Sequence, residues 1–290
     1  MKTLLLIDAN SLIHRAYHAL PPLTAKDGEP AGALYGLSSM LIKIIKERRP
    51  EYIAAGFDRP EPTKREEEYA EYKATRPPAE KDLVGQIIEA RNLFQKFGIT
   101  AFEKPGYEAD DLMASLAEKF KKEKGIEIII FSGDKDMLQM VEDGKIRVEA
   151  PLKGITSSVV YDSAKVREKL GVPPEKVADY KGLVGDVSDN IPGVSGIGPK
   201  TAAGLIEKYG SVENLIKEFR EIGITDSKAA DKIKGNEERA LMSKRIALLV
   251  RDIPIKESLE DLRLNIDKEK LQEYFRKLGF SSLYSRAGAI

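Results

Sequence analysis

Four short apolar segments in the first half of the chain have the length and composition of buried β-strands. They are residues 3–7, 52–57, 99–102 and 126–131. Segments with helical periodicity separate them, such as residues 34–45 and 83–97. Strands that alternate with helices pair in parallel, because each helix carries the chain back to the start of the next strand. The sequence therefore predicts an α/β fold with a mainly parallel central sheet flanked by helices.

Acidic residues follow these predicted strands. Asp8 ends the first strand and Asp58 the second, while Asp134 and Asp136 come shortly after the fourth. A helix that begins near Tyr107 carries three more acids in its first turn, and a later loop carries two. The full set is Asp8, Asp58, Glu108, Asp110, Asp111, Asp134, Asp136, Asp186 and Asp189. Ligands of open α/β sheets bind beyond the carboxyl ends of the strands, so we expect these carboxylates to converge.

Nine carboxylates in one cleft need a positive counter-charge, because like charges raise one another's pKa until some are neutral. The chain has no cysteine and two histidines, so the available donors are oxygen atoms. Such donors favour Mg²⁺ or Mn²⁺ over Zn²⁺. Glu108 and Asp110 flank the apolar stripe of their helix, whereas Asp111 is predicted to point nearly opposite to it. Glu108 and Asp110 are therefore the better candidate ligands.

Each acid also has a purely structural explanation. An aspartate after a strand is often a helix cap or a turn residue, and acids in a first helical turn complement the helix dipole. We prefer the metal site because the whole set falls at strand ends. His14 and His18 are four residues apart and could form half of a metal site. Since no third soft ligand accompanies them, we interpret both as ordinary helix residues.

The composition narrows the class of protein. The 290 residues include 47 basic and 47 acidic side chains, and this zero net charge at first sight argues against a nucleic-acid partner. If metal ions neutralise the acidic cluster, however, the remaining surface is net basic. The sequence contains no run of eighteen apolar residues, and Asp8 interrupts the first apolar stretch, so neither a membrane span nor a signal peptide is expected. We expect a soluble, cytoplasmic protein.

The chain is predicted to have two parts. Residues 1–162 form the α/β core, and residues 163–290, where the strand patterns fade, form a helical region. Residues 59–80 of the core behave differently, because lysines, arginines and tyrosines alternate there with glutamates. This segment is either a solvated charged helix or an insertion over the cleft that presents cations and aromatic rings to a nucleic-acid strand. Its place directly after Asp58 favours the insertion.

A glycine-rich segment, residues 191–202, separates two helices predicted within residues 176–210. Its glycines are Gly193, Gly196 and Gly198. Their spacing does not fit a dinucleotide-binding loop, and no strand precedes them. Pro199 suits the first turn of the second helix, and Lys200 adds positive charge there. The segment is either a tight helix-helix turn or, as we prefer, a hairpin whose backbone N–H groups hold a phosphate without reading sequence.

Together these motifs resemble the 5′ nuclease superfamily, specifically the 5′→3′ exonuclease domain at the amino end of bacterial DNA polymerase I. The matching strings are LLIDANSLIHRAYHAL, FDRPEPTKREEEYAEYKATRP, PGYEADD, SGDKDMLQM and GLVGDVSDNIPGVSGIGPKTA. They occur in the family's order between residues 4 and 202, and helical segments continue to LGFSSL, so the resemblance covers nearly the whole chain. It implies a PIN-like, Rossmann-like nuclease core, an arch at residues 59–80 and a helix-hairpin-helix motif at about residues 176–210.

The resemblance also implies roles for residues at the matching positions. The nine acids would bind two Mg²⁺ or Mn²⁺ ions, with Asp111 as the additional member. Lys73 and Arg76 would contact the scissile phosphate, and Tyr72 would stack on the terminal base. The implied DNA-binding residues are Arg65, Gly193, Ser195, Gly196, Gly198, Lys200 and Thr201. A K⁺ ion is implied at the hairpin carbonyls. Relatives usually carry an aromatic residue in place of Lys64, so the packing of the arch is not carried over.

The predicted function is metal-dependent hydrolysis of phosphodiester bonds, as a 5′→3′ exonuclease and 5′-flap endonuclease in replication and repair. The implied substrates are DNA with a 5′ flap, a nick or a 5′ end, and RNA-primer junctions. We expect a monomer, either free-standing or followed by a polymerase.

Two other functions fit the sequence less well. A phosphatase of the haloacid dehalogenase kind needs an acid two residues after Asp8, where this chain has Asn10. A non-catalytic protein that binds DNA structures would have no use for the nine acids. Cleavage of DNA that depends on a divalent metal separates the last alternative from a nuclease.

Overall fold

The chain forms a six-stranded sheet with helices packed on both faces. The computed structural model describes residues 1–152, 157–222 and 232–290. The strands are β1 (Lys2–Asp8), β2 (Tyr52–Gly56), β3 (Thr100–Phe102), β4 (Ile126–Phe131), β5 (Ile146–Pro151) and β6 (Ser158–Tyr161). Their order across the sheet is β3-β2-β1-β4-β5-β6, and all neighbours are parallel except β5 and β6. The predicted mainly parallel α/β sheet is confirmed.

Strand β1 lies at the point where the chain changes direction across the sheet. Ile7 of β1 pairs with Ala55 of β2 on one side and with Phe131 of β4 on the other. Strands β2 and β3 therefore lie on one side of β1, and the later strands β4, β5 and β6 lie on its other side. This reversal leaves a crevice beyond the carboxyl ends of β1 and β4, which is where open α/β sheets bind their ligands.

In the described part of the chain, five α-helices lie among the first strands and seven follow the sheet. The first five are α1 (Ala9–Ala19), α2 (Gly32–Arg48), α3 (Lys64–Glu68), α4 (Lys81–Lys96) and α5 (Ala109–Phe120). The others are α6 (Ser163–Leu170), α7 (Val177–Val184), α8 (Pro199–Tyr209), α9 (Val212–Ile222), α10 (Glu237–Ala247), α11 (Lys268–Leu278) and α12 (Ser281–Ala287). In the described ranges, none of the helices has the length and apolarity needed to cross a membrane.

Two hydrophobic clusters cover the two faces of the sheet. Leu4 and Leu6 of β1 belong to a cluster that includes α5 and continues into α7, α8 and α9. Leu5 and Ile7 point to the opposite face, where α1, α2 and α4 pack together with α11 and α12. The helical region thus shares its core with the sheet, and its last two helices return to the far face. The domain boundary predicted at residue 163 stays a prediction. A continuous hydrophobic core runs across this position.

Candidate active site

The carboxyl edge of the sheet opens into a cleft with a volume of about 620 Å³. Eight acidic side chains line it: Glu80 and seven of the predicted acids, Asp8, Asp58, Glu108, Asp110, Asp134, Asp186 and Asp189. The seven follow β1, β2 and β4, begin α5, or lie in the loop between α7 and α8. We name Asp8, Asp58, Glu108 and Asp110 the first acidic group. Asp134, Asp136, Asp186 and Asp189 form the second acidic group.

Asp8 joins the ends of β1 and β4. Its Oδ1 accepts a hydrogen bond from the Ser11 N–H at 3.0 Å and so caps α1, while its Oδ2 accepts from the Ser132 hydroxyl at 2.7 Å. Burial raises the pKa of Asp8 to about 7, although both hydrogen bonds oppose this change. In the absence of a bound cation, a substantial part of Asp8 is therefore protonated near neutral pH.

Asp58 and Asp110 have similar surroundings. The Ala109 N–H donates to Asp58 Oδ1 at 2.7 Å, which ties the end of β2 to the start of α5. Burial raises the pKa of Asp58, and it raises the pKa of Asp110 well above its ordinary value. The Arg65 guanidinium lies 3.7 Å from Asp110, beyond hydrogen-bond distance. A divalent cation near Asp8, Asp58 and Asp110 would therefore stabilise all three as carboxylates.

Glu108, by contrast, is already held by positive charge. Lys73 Nζ donates to its Oε1 at 2.5 Å, and its Oε2 accepts from Arg65 Nη1 at 2.8 Å and from the Tyr72 hydroxyl at 2.9 Å. Burial alone would favour the neutral acid, but the charges of Lys73 and Arg65 outweigh it and lower the pKa of Glu108. Glu108 is thus ionised and connects α5 to residues 59–80.

The second acidic group has a lysine of α7 within it. Lys181 forms ion pairs with Asp136 and with Asp186, and its Nζ lies 2.6 Å from Asp186 Oδ2. Burial opposes the ionisation of Asp186, but Lys181 reverses this effect and lowers the pKa of Asp186. At Asp134, burial prevails over the attraction of Lys181 and raises the pKa. In the first acidic group, most members have raised pKa values, whereas in the second most members are paired with a cation.

Acidic side chains outnumber the cations that pair with them. Nine predicted acids face four paired cations, Arg65, Lys73, Arg76 and Lys181. Five negative charges remain if all the acids are ionised, and two divalent cations would supply four positive charges. Within residues 1–152, 157–222 and 232–290, no three acidic or histidine side chains already converge on one ion-sized position. An entering ion would therefore have to draw carboxylates together and compete with the paired lysine and arginine side chains.

Residues 59–80, which we call the arch, contribute one wall of the cleft through Lys73, Arg76 and residues 77–80. The Lys73 N–H donates to the Asp189 carbonyl at 2.9 Å. Lys73 has a φ of 55°, a left-handed conformation that costs a residue with a side chain about 1 kcal/mol or more. Arg76 Nη2 donates to Asp189 Oδ1 at 2.5 Å. The arch is thus docked so that Lys73 reaches the first acidic group and Arg76 the second.

The glycine-rich segment turns between α7 and α8. Val194 and Ile197 are buried and anchor the turn in the core. The exposed residues of the turn include Ser195, Gly196, Gly198 and Lys200, with Thr201 half-buried beside them. Gly196 has a φ of 78°, which glycine adopts without strain, and Pro199 begins α8. Exposed backbone and a lysine therefore lie together at a helix N-terminus, where an anion is stabilised.

Comparison with known proteins identifies the family. Residues 3–171 match the family model of the 5′-3′ exonuclease N-terminal resolvase-like domain, and residues 172–270 match that of the 5′-3′ exonuclease C-terminal SAM fold. The chain is 40% identical to a 5′-3′ exonuclease of Aquifex aeolicus, over 100% of this chain and 96% of that protein. The chain belongs to the 5′-3′ exonuclease family.

Other relatives agree with this assignment. The chain is 39% identical, over 98% of its length, to DNA polymerase I of Caldicellulosiruptor bescii, of which it spans 33%. A solved structure of T5 5′-exonuclease with bound zinc has a TM-score of 0.69 at 21% identity and matches 99% of this chain and 98% of that one. The T5 structure shows that the fold is shared. The family and the hydrolytic nuclease activity predicted from the sequence are confirmed.

Two predicted site residues lie outside the cleft and bind each other. Asp111, predicted to point away from the core, is buried, and its Oδ1 accepts from the Val250 N–H at 2.9 Å and from Arg65 Nη2 at 2.6 Å. Arg65, predicted to bind DNA, is 8% exposed and also donates to the Ile246 carbonyl at 2.9 Å. Asp111 lies on the side of α5 that the segment after α10 covers, so it is buried there rather than exposed. Its role as a metal ligand stays a prediction. Arg65 links the arch to this segment.

Three further predicted residues are buried. Asp136 lies beside Lys181 and does not line the cleft. Tyr72 is also buried, and its hydroxyl donates to Glu108. The Tyr72 ring therefore does not present a face for a terminal base. The Gly193 N–H donates to the Ser243 hydroxyl at 3.1 Å rather than facing solvent. Gly193 is needed for close packing, since a Cβ there would lie 2.3 Å from the neighbouring backbone nitrogen of Gly185.

Sequence reasoning missed several residues around the cleft. His14 and His18, interpreted as ordinary helix residues, line it from α1, and burial lowers the pKa of His14. The Tyr17 hydroxyl donates to Glu80 at 2.6 Å and so joins α1 to the end of the arch. A signal for these residues was available, because α1 begins directly after Asp8 and its first turns must lie at the same edge of the sheet. No such signal indicated that Lys181 is buried among acids.

Proposed function

We propose that this chain hydrolyses phosphodiester bonds at 5′ ends and 5′ flaps of DNA with two divalent cations bound in the cleft. The observation that supports this most directly is the convergence of seven predicted acids at the carboxyl edge of the sheet. Several of these carboxylates have raised pKa values because burial is not matched by enough positive charge. A site of this kind is incomplete without added cations.

The donor set fits Mg²⁺ or Mn²⁺, since every candidate ligand offers carboxylate oxygen. We propose that the first acidic group holds one ion and the second acidic group the other, without Asp111. When bound, such ions lower the pKa of a water molecule and stabilise charge on the attacking and leaving oxygens. The raised pKa values of Asp8 and Asp110 mean that ion binding releases protons from these residues. The affinity for the ions should therefore rise with pH.

The arch cations act on the reacting phosphate in this proposal. Lys73 and Arg76 lie at the cleft wall, each paired with one acidic group. With Glu108 and Asp189 engaged by divalent ions, Lys73 and Arg76 would be free to stabilise negative charge on the phosphate. This charge is greatest in the transition state, so both residues should affect the rate more than the affinity. No side chain is needed as the nucleophile.

The hairpin is proposed to hold the duplex part of the substrate. Ser195, Gly196, Gly198 and Lys200 offer exposed backbone and positive charge beside the N-terminus of α8. A K⁺ ion at the hairpin carbonyls would compete with Lys232, whose ammonium donates to the Gly196 carbonyl at 2.7 Å. Duplex affinity measured in KCl and in N-methylglucamine chloride tests this point. Equal affinities in the two salts would remove K⁺ from the proposal.

Cleavage assays test the central proposal. Labelled DNA with a 5′ flap, a nick or a single-stranded 5′ end, and DNA with an RNA primer, are incubated with Mg²⁺, with Mn²⁺ or with EDTA. Product lengths separate exonuclease from flap cleavage, and we expect products with 5′ phosphates only when a divalent ion is present. Asp267→Asn changes an exposed capping residue of α11 and serves as a control for substitutions of cleft acids. Cleavage of similar rate in EDTA contradicts the proposal.

We further propose that the chain acts as a monomer in the cytoplasm, with or without an attached polymerase. Relatives of both organisations exist, since the chain spans 96% of one relative and 33% of another. Analytical ultracentrifugation at micromolar concentration, with and without flap DNA, tests the oligomeric state. A dimer in the absence of DNA contradicts the monomer.

A further inference from the structure

Lys181 is a buried cation within the second acidic group. Its side chain is 9% exposed, and it forms ion pairs with Asp136 and with Asp186, whose Oδ2 lies 2.6 Å from Nζ. A buried ammonium is stable only when carboxylates compensate for its lost hydration, and these two residues do so. We propose that Lys181 is a built-in counter-ion that holds Asp136 and Asp186 in place before a divalent ion binds and then competes with that ion for them.

This inference rests on the proposed function and extends it to a residue that would not touch the substrate. Lys181 differs from the arch cation that pairs with the same acidic group. The Arg76 side chain is 49% exposed and can leave Asp189 for a phosphate, whereas Lys181, at 9%, is enclosed by protein. When Arg76 leaves Asp189, its guanidinium can be solvated or can bind a phosphate of the substrate. Lys181 stays beside the second acidic group whether or not DNA is bound.

The position of Lys181 has two consequences that can be measured separately. Without metal, it stabilises the fold, because Asp136 would otherwise be a buried carboxylate next to other acids. With metal, its positive charge repels the second ion and occupies oxygens that the ion would use. Removing the charge should therefore destabilise the metal-free protein and tighten the binding of one ion. A residue with a merely structural role would show the first effect alone.

The test compares Lys181→Met with Lys244→Met. Lys244 of α10 also pairs with two acids, Asp179 at 2.6 Å and Glu213 at 2.7 Å, but it lies outside the cleft. Mn²⁺ is titrated into each protein by isothermal calorimetry in the absence of DNA. Thermal unfolding is measured in EDTA and in Mn²⁺. Circular dichroism establishes that each variant is folded, and Lys181→Gln replaces Lys181→Met if the latter is not.

We expect Lys181→Met to bind the second Mn²⁺ at least about tenfold more tightly than wild type, because one nearby positive charge opposes a divalent ion. Its unfolding temperature in EDTA should fall, and Mn²⁺ should raise that temperature by more than it does in wild type. Lys244→Met should lose stability without a change in Mn²⁺ affinity. If Lys181→Met binds two Mn²⁺ ions with the same affinities as wild type, the inference about Lys181 is wrong, whereas the proposed metal function stands. No Mn²⁺ binding by any of the proteins would overturn the proposed metal function and the inference with it.

Discussion

Replacement of Asp8 by Asn should stabilise the metal-free protein while it removes a proposed metal ligand. Burial raises the pKa of Asp8 from 3.8 to about 7. The folded protein therefore binds a proton at Asp8 more tightly than the unfolded chain does. Between these two pKa values, stability falls as pH rises, because folding must oppose ionisation of the buried acid. Below pH 3.8 both states are protonated, and the cost disappears.

The size of this effect follows from the difference in pKa. A difference of about three pKa units corresponds to roughly 4 kcal/mol at pH 8, which is an upper limit for this single group. Asn at this position has no charge to bury and can still accept from the Ser11 N–H. We therefore expect a gain of about 2–4 kcal/mol in EDTA at pH 8, or roughly 5–15 °C in unfolding temperature. At pH 5 the gain should fall to less than half of its value at pH 8, because Asp8 is then protonated in the folded protein while the unfolded chain, with a pKa of 3.8, is still mostly ionised.

Thermal and urea unfolding of wild type and Asp8→Asn at pH 5, 6, 7 and 8 would measure this gain, each with EDTA and with Mg²⁺. Mg²⁺ should stabilise wild type strongly at pH 8 and Asp8→Asn much less. Asp267→Asn is the control, since the pKa of Asp267 is lowered and its replacement should not stabilise the fold at pH 8. The reasoning is refuted if Asp8→Asn is less stable than wild type in EDTA at pH 8, or if its advantage is the same at pH 5.

Four other substitutions test separate parts of the site. Asp110→Asn should abolish flap cleavage but leave duplex binding intact, and cleavage at near wild-type rate in saturating Mg²⁺ would rule out its role. Asp111→Asn should instead cost about 3 kcal/mol in urea unfolding, because Arg65 loses a buried partner. Lys73→Ala should lower the single-turnover rate at saturating DNA, and an equal loss in Lys64→Ala, an exposed arch lysine, would argue against a specific contact. Lys200→Ala should reduce the slope of log affinity against log salt by about 0.9 for duplex DNA, and an unchanged slope would place the phosphate contact elsewhere.

The glycines of the hairpin differ in what they require of the backbone. Gly198 has a φ of −92°, which residues with a side chain also adopt, and the space around its Cβ position is open. Gly196 does have a positive φ. Gly196→Val should therefore disturb the turn itself. A defect in Gly198→Val would indicate that DNA, rather than the protein, occupies that space, and it would be seen as weaker duplex binding at unchanged thermal stability.

The sequence by itself determined the first four strands, most helices and the acids that follow those strands, but not β5 and β6. These features depend on local periodicity, since a buried strand or an amphipathic helix shows its pattern within ten or so residues. Asp8 and Asp58 could be placed at one edge because parallel strands end together. Chain order then required the helix that begins near Glu108 to lie beside them.

Only the tertiary structure decided which charges pair with these acids. Arg65 of the arch meets Asp111 because the segment after α10 covers that side of α5, and Lys181 meets Asp136 because α7 packs beside the loop after β4. The energy of a charge depends on its burial and on its distance from other charges, both of which are set by residues far apart in the chain. Local pattern contains neither quantity, so the sequence showed where the acids lie but not which of them are already neutralised.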